Sequence, residues 1–104
     1  LHAAMKIQSS STEAGAIQEE LGKVFSERRQ FDRAYKAFSN AIKSTPMKAP
    51  LYFCAGLALK NLKDYGEAIA MFRKAVQMDP KNLDAHRQLA AVSALGLISG
   101  EASV

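Results

Sequence analysis

Pro46 and Pro80 stand 34 residues apart, and a shift of 34 brings a set of other residues into line. Gly22 meets Gly56, Phe31 meets Tyr65, Ala34 meets Ala68, Phe38 meets Phe72, Ala41 meets Ala75, and Leu21 meets Ala55. A period of this length points to stacked helical hairpins, because one hairpin cannot bury its apolar face alone and a neighbouring copy can. The two copies span 15–48 and 49–82, and the scheme begins again at Leu83.

Each recurring residue type has a physical reason. Gly22 and Gly56 sit inside apolar helical patterns, where glycine costs about 1 kcal/mol relative to alanine. That cost is tolerable where a second helix crosses closely. Ala34 and Ala68, near the start of the following helix, are expected to be the small partners in that crossing. Phe38 and Phe72 come four residues on, share a face with those alanines, and would fill the space between hairpins. Pro46 and Pro80 lack the backbone donor, so they stop the second helix and turn the chain.

On these residues the chain resembles the tetratricopeptide repeat family. Residues 49–82 match its pattern at Gly56, Ala68, Phe72, Ala75 and Pro80, with Tyr52 where the family often has Trp. Residues 15–48 match at Leu21, Gly22, Ala34, Phe38, Ala41 and Pro46, with Gln18 in place of the usual aromatic. The resemblance implies an all-α fold of tandem antiparallel helical hairpins in a right-handed superhelix, with two full repeats and a partial third over 83–104. Residues 1–12 are expected to be an N-terminal tail or the remnant of a preceding helix, and 13–104 the repeat domain.

The local signals agree. Ala3, Ala4 and Ile7 share one side of a short helix, and the run of hydroxyl residues over 9–12 is expected to break it. Ser10 and Glu13 have the capping-box spacing for a new start. The next helix is expected over about 12–28, with Ile17, Leu21, Val24 and Phe25 as its apolar stripe. Asp32 suits the start of the following helix and Lys43 its end. Pro50 fits the first turn of the third helix, which is apolar nearly all round and so expected to be buried on several sides. Asp64 with Glu67, and then Asn82, read as caps. The last helix carries Leu83, Leu89, Ala90, Val92 and Leu95, followed by an apolar end over 95–98 with no partner helix after it.

Composition narrows the function classes. At 104 residues the chain is one domain, and 48% hydrophobic residues suffice for a core. No apolar run approaches the roughly 18 residues that span a bilayer, so no membrane partner is expected. The net charge is +4, but apart from Arg28-Arg29 the basic residues alternate with acids, which describes a solvated outer face. A nucleic-acid surface needs several bases on one face with aromatic or groove-reading partners, so none is expected. Cys54 is the only cysteine; it forms no internal disulfide, reads as a small half-buried hydrophobe, and suits a reducing compartment such as the cytoplasm. The chain opens on Leu1 rather than Met, which suggests a piece of something longer. His2 and His86 are far apart, and neither has a metal ligand four residues on, so no metal or cofactor is expected. Cys54 could meet His86 across adjacent hairpins. A nucleophile also needs an oriented third group, and His86 more simply takes the place of Tyr52. The expectation is a protein without enzymatic activity.

By the resemblance, first helices line the concave side of the array. There the chain would offer Glu19, Glu20, Lys23 and Glu27, then Phe53, Cys54, Leu57, Lys60 and Asn61, then Asp84, Arg87, Gln88 and Ala91. An apolar strip with charged flanks suits a peptide that buries apolar anchors and takes its register from charge. Phe53 and Leu57 could equally pack between hairpins. Relatives that serve chaperones clamp a peptide's C-terminal carboxylate with Lys, Asn and Arg. The matching places here hold Glu19, Lys23, Cys54, Asp84 and Gln88, so no such clamp is expected. The leading function is a scaffold for a partner protein or peptide. Its rivals are a homodimer through the apolar C-terminal helix and a regulatory or spacer segment of a larger protein.

Overall fold

The computed structural model describes the backbone of residues 2–99 and the side chains of residues 13–97. The helices are α1 (His2–Glu27), α2 (Phe31–Ser44), α3 (Ala49–Asn61), α4 (Tyr65–Met78) and α5 (Leu83–Ser99), with no strand among the described residues. Each helix packs on the next in sequence, and α5 also touches α3. The chain is therefore two antiparallel hairpins, α1–α2 and α3–α4, followed by a fifth helix.

The loops repeat as the helices do. Within the hairpins, Arg29 and Lys63 hold the same place and both have positive φ, 62° and 65°. Around them Gln30 N donates to Phe25 O at 2.8 Å, and Asp64 N to Leu59 O at 2.9 Å. These bonds close each helix end through a left-handed residue, a position that favours glycine. Between the hairpins, Tyr52 Oη donates to Pro46 O at 2.7 Å, and His86 Nε2 pairs with Pro80 O at 2.8 Å. Tyr52 and His86 thus do one job 34 residues apart: each ties its helix to the turn before it. The expected caps are present, with Asp64 accepting from Glu67 N and Asn82 from Ala85 N.

Three expectations need correction. The hydroxyl residues over 9–12 do not break the chain, because α1 runs through them to Glu27. Serine and threonine cost only a few tenths of a kcal/mol each relative to typical helix formers. Without Pro or Gly among residues 2–14 nothing forbids the next backbone bond, and the Ser10–Glu13 spacing has no helix start to cap. The second correction concerns the glycines. A Cβ on Gly22 would stand 2.6 Å from Phe38 Cε1, and one on Gly56 2.7 Å from Phe72 Cε1; the three nearest atoms in each case belong to the ring. The glycines make room for phenylalanines rather than for alanines. Ala34 and Ala68 are fully buried in the same clusters, one including Phe38, Leu51, Ala55 and Ala58, the other Leu59, Phe72 and Val92.

The third correction concerns the stripe on α1. Ile17, Leu21 and Val24 are 59%, 39% and 40% exposed, while Leu51, Ala55 and Ala58, one repeat later, are sealed at 0–1%. The α1 side that faces α2 is built instead from Gly15 and Gly22, with Phe25 packed against the core. On α5 the buried pair is Ala85 and Val92; Leu89 and Leu95 are half-buried, and Leu83 is exposed. Helix α3 is buried on several sides, as its composition requires, because it lies between α2 and α4.

Candidate functional site

A trough of about 360 Å³ opens between α1 and α3. Lys23, Ser26 and Glu27 line it from α1, Phe31 and Phe38 from α2, and Cys54, Leu57, Ala58 and Asn61 from α3. Its lining is mostly apolar because Gly22 draws Phe38 inward against α1, so that the ring forms part of the trough as well as the core. Asn61 Nδ2 donates to Leu57 O at 2.8 Å, which holds the amide along its own helix at the rim. Cys54 is half-buried, and burial raises its thiol pKa above the ordinary value.

The charges beside the trough are organised around Glu19. Lys48 Nζ approaches Glu19 Oε1 at 2.6 Å, and Lys23 Nζ lies 3.6 Å from both Glu19 Oε2 and Glu20 Oε1. The hydrogen bond from Lys48 holds the Glu19 carboxyl below its ordinary pKa, and Glu20 followed by Glu19 raises that of Lys23. Lys48 precedes α3, so this pair joins the first helix of one hairpin to the start of the next.

Of the thirteen side chains expected on the concave side, Lys23, Glu27, Cys54, Leu57 and Asn61 meet at the trough, and Glu19 stands beside Lys23. Phe53 packs edge-on against Phe72, with centroids 5.7 Å apart at 63°. Leu57 borders the trough and also packs against the second core cluster, so both readings of it hold. Lys60 Nζ donates to Gln88 Oε1 at 2.9 Å, tying α3 to α5. Arg87 lies 3.8 Å from Asp84 with both side chains about three-quarters exposed, an arrangement worth little in water. Reading the sequence did not place Ser26, Phe31, Phe38 or Ala58 at the site. The match of Phe31 with Tyr65 was the available signal, since an aromatic recurring next to a turn marks a fixed tertiary position. Lys48 left no such signal, because Asn82 replaces it one repeat later. Leu97 of the apolar end is 62% exposed, and the side chain of Ile98 lies outside the described residues.

Comparison with known proteins agrees with the geometry. The family model described as tetratricopeptide repeat matches residues 49–82. No curated protein sequence matches the chain. Among solved structures, the tetratricopeptide-repeat domain of Arabidopsis OM64 superposes with a TM-score of 0.80 at 24% identity, covering 88% of this chain and 76% of that one. The second such domain of Spaghetti (RPAP3), solved with the HSP90 peptide SRMEEVD, gives 0.80 at 17% identity over 94% and 90%. The corresponding domain of yeast Sti1 in its HSP90 complex gives 0.76 at 25% identity, covering 89% of this chain and 37% of that one.

Proposed function

This chain is a tetratricopeptide-repeat domain, by the match over residues 49–82 and by its fold, and on that premise we propose that it is an interaction scaffold holding a partner peptide in the trough between α1 and α3. The observation that carries this reading is the trough itself: an open, mostly apolar recess with Lys23, Glu27 and Asn61 around Phe38, Cys54 and Leu57. Recesses of this size with a few polar groups suit one apolar side chain held in a chosen orientation. The ligand is a peptide with an apolar anchor flanked by charges, in the manner of groove-bound extended or helical segments.

Two of the solved relatives, the first and second repeat domains of Spaghetti (RPAP3), are bound to the HSP90 peptide SRMEEVD. Here Glu19 and Asp84 occupy places where a carboxylate would be clamped. Glu19 engages Lys48 directly and has Lys23 nearby. A carboxylate ligand would meet an acid held ionised below the usual range and would compete with it for both lysines. The scaffold therefore selects a different peptide.

Cys54 is a built-in reporter for the test. Peptides selected from a random library on the immobilised protein should slow alkylation of Cys54, and Ser26→Leu, which fills the trough from α1, should abolish that protection. Selected peptides that leave the Cys54 rate unchanged would place binding elsewhere. Micromolar affinity for a peptide ending in EEVD would refute the charge argument.

A further inference from the structure

We propose that one end of the trough between α1 and α3 takes a cationic side chain, so that the bound peptide carries Arg or Lys beside its apolar anchor. This rests on the trough being the ligand site and adds the sign of the charge that the ligand brings. Two charged residues line the trough, Lys23 and Glu27. Lys23 is already matched: it lies 3.6 Å from both Glu19 and Glu20, while Lys48 holds the other oxygen of Glu19 at 2.6 Å. Glu27 is exposed and forms no ion pair among the described residues. Arg28 and Arg29 follow it in the chain, but neither lines the trough. The unmatched charge at the recess is therefore a carboxylate.

Its surroundings favour the same sign. Helices α1 and α3 end here, at Glu27 and Asn61, and the last carbonyls of a helix attract positive charge. Asn61 turns its Nδ2 back to Leu57 O, which leaves Oδ1 as the acceptor it offers. Phe31 lines the same recess, and an aromatic face is a further seat for a guanidinium. The next groove supplies the contrast. One repeat later, Asn61 and Leu95 take the places of Glu27 and Asn61, and Lys60 and Gln88 those of Ser26 and Cys54. Lys60 Nζ donates to Gln88 Oε1 at 2.9 Å, so the chain's own ammonium bridges α3 and α5 there. Between α1 and α3 the same two places hold Ser26 and Cys54, which leave the recess open with an acid at its end. The spacing then sets the ligand's pattern. Leu57 to Asn61, like Lys23 to Glu27, is one helical turn, about 6 Å along the axis. A peptide anchored against Phe38, Cys54 and Leu57 reaches the carboxylate with a side chain two residues away if extended, or three to four away if helical.

The probe is a library of random, end-capped heptapeptides screened for slowed alkylation of Cys54. Arg or Lys should recur at that spacing from an apolar residue. Glu27→Gln should weaken the selected peptides about two- to fivefold, as expected for one ion pair that water still reaches, and roughly 1 M salt should shrink the difference. Replacing the peptide's basic residue by Gln should cost as much, and should cost nothing further in Glu27→Gln. Glu27 is exposed, so the variant should melt at the parent's temperature. Peptides that protect Cys54 without a basic residue, or whose affinity Glu27→Gln leaves unchanged, would overturn this inference while leaving the trough as the ligand site. If no peptide protects Cys54, the trough itself is not the ligand site, and this inference falls with it.

Discussion

Replacing Gly56 by alanine tests the packing argument at its tightest point. Alanine in a helix interior is favoured over glycine by about 1 kcal/mol, so a site with free space would gain stability. Here the new Cβ would lie 2.7, 2.9 and 2.9 Å from Phe72 Cε1, Cδ1 and Cζ, where ordinary contact begins at 3.4 Å. The ring has nowhere to go. Phe72 is 0% exposed, is met edge-on by Phe53, and shares its cluster with Leu59, Ala68 and Val92. Forcing a methyl group into such a core costs about 1–3 kcal/mol. Contacts this short against a sealed ring belong to the upper part of that range, about 2–3 kcal/mol, so the net loss after the helical gain is about 1–2 kcal/mol. At about 4–8 °C per kcal/mol for a domain of this size, the melting temperature should fall by roughly 5–15 °C. Denaturation followed by helical circular dichroism reads this directly. Gly66→Ala is the control: a Cβ there meets nothing within 4 Å, so it should be neutral or stabilising by a few tenths of a kcal/mol. Gly22→Ala, facing Phe38 at 2.6 Å, should repeat the loss in the first hairpin. A Gly56→Ala protein as stable as the parent would refute the reasoning.

Two further predictions follow from the loops and the ion pair. Lys63→Gly should stabilise by about 0.5 kcal/mol, because relief of left-handed strain exceeds glycine's extra freedom in the unfolded chain; Arg29→Gly should do the same, and a lower melting temperature in both would contradict the loop account. Glu19 has a folded pKa below its ordinary value because of Lys48. The stability it contributes is therefore present above the ordinary carboxylate range and is lost as pH falls through that range toward the lowered folded value. Lys48→Met should flatten the dependence of stability on pH below about 5, measured by denaturant titration, and an unchanged slope would show that the pair does not couple to folding.

The residues fixed the hairpins because their evidence is local and repeated. Pro46, Pro80, Asp64 and Asn82 mark ends through their own backbone chemistry, and the 34-residue register makes each copy a check on the other. Composition also placed α3 in the middle, since a helix apolar nearly all round must be covered on more than one side. Periodicity could not distinguish which apolar stripe is covered. Ile17, Leu21 and Val24 have helical spacing as sound as that of Leu51, Ala55 and Ala58, and only the position of α2 seals one set and leaves the other in solvent. The candidate site was half legible for the same reason. Lys23, Cys54, Leu57 and Asn61 followed from facing inward in the register, but Phe38 reaches the trough only because Gly22 lets its ring lie against α1. Burial and the joining of distant side chains are properties of how helices stack, and no single helix's sequence carries them.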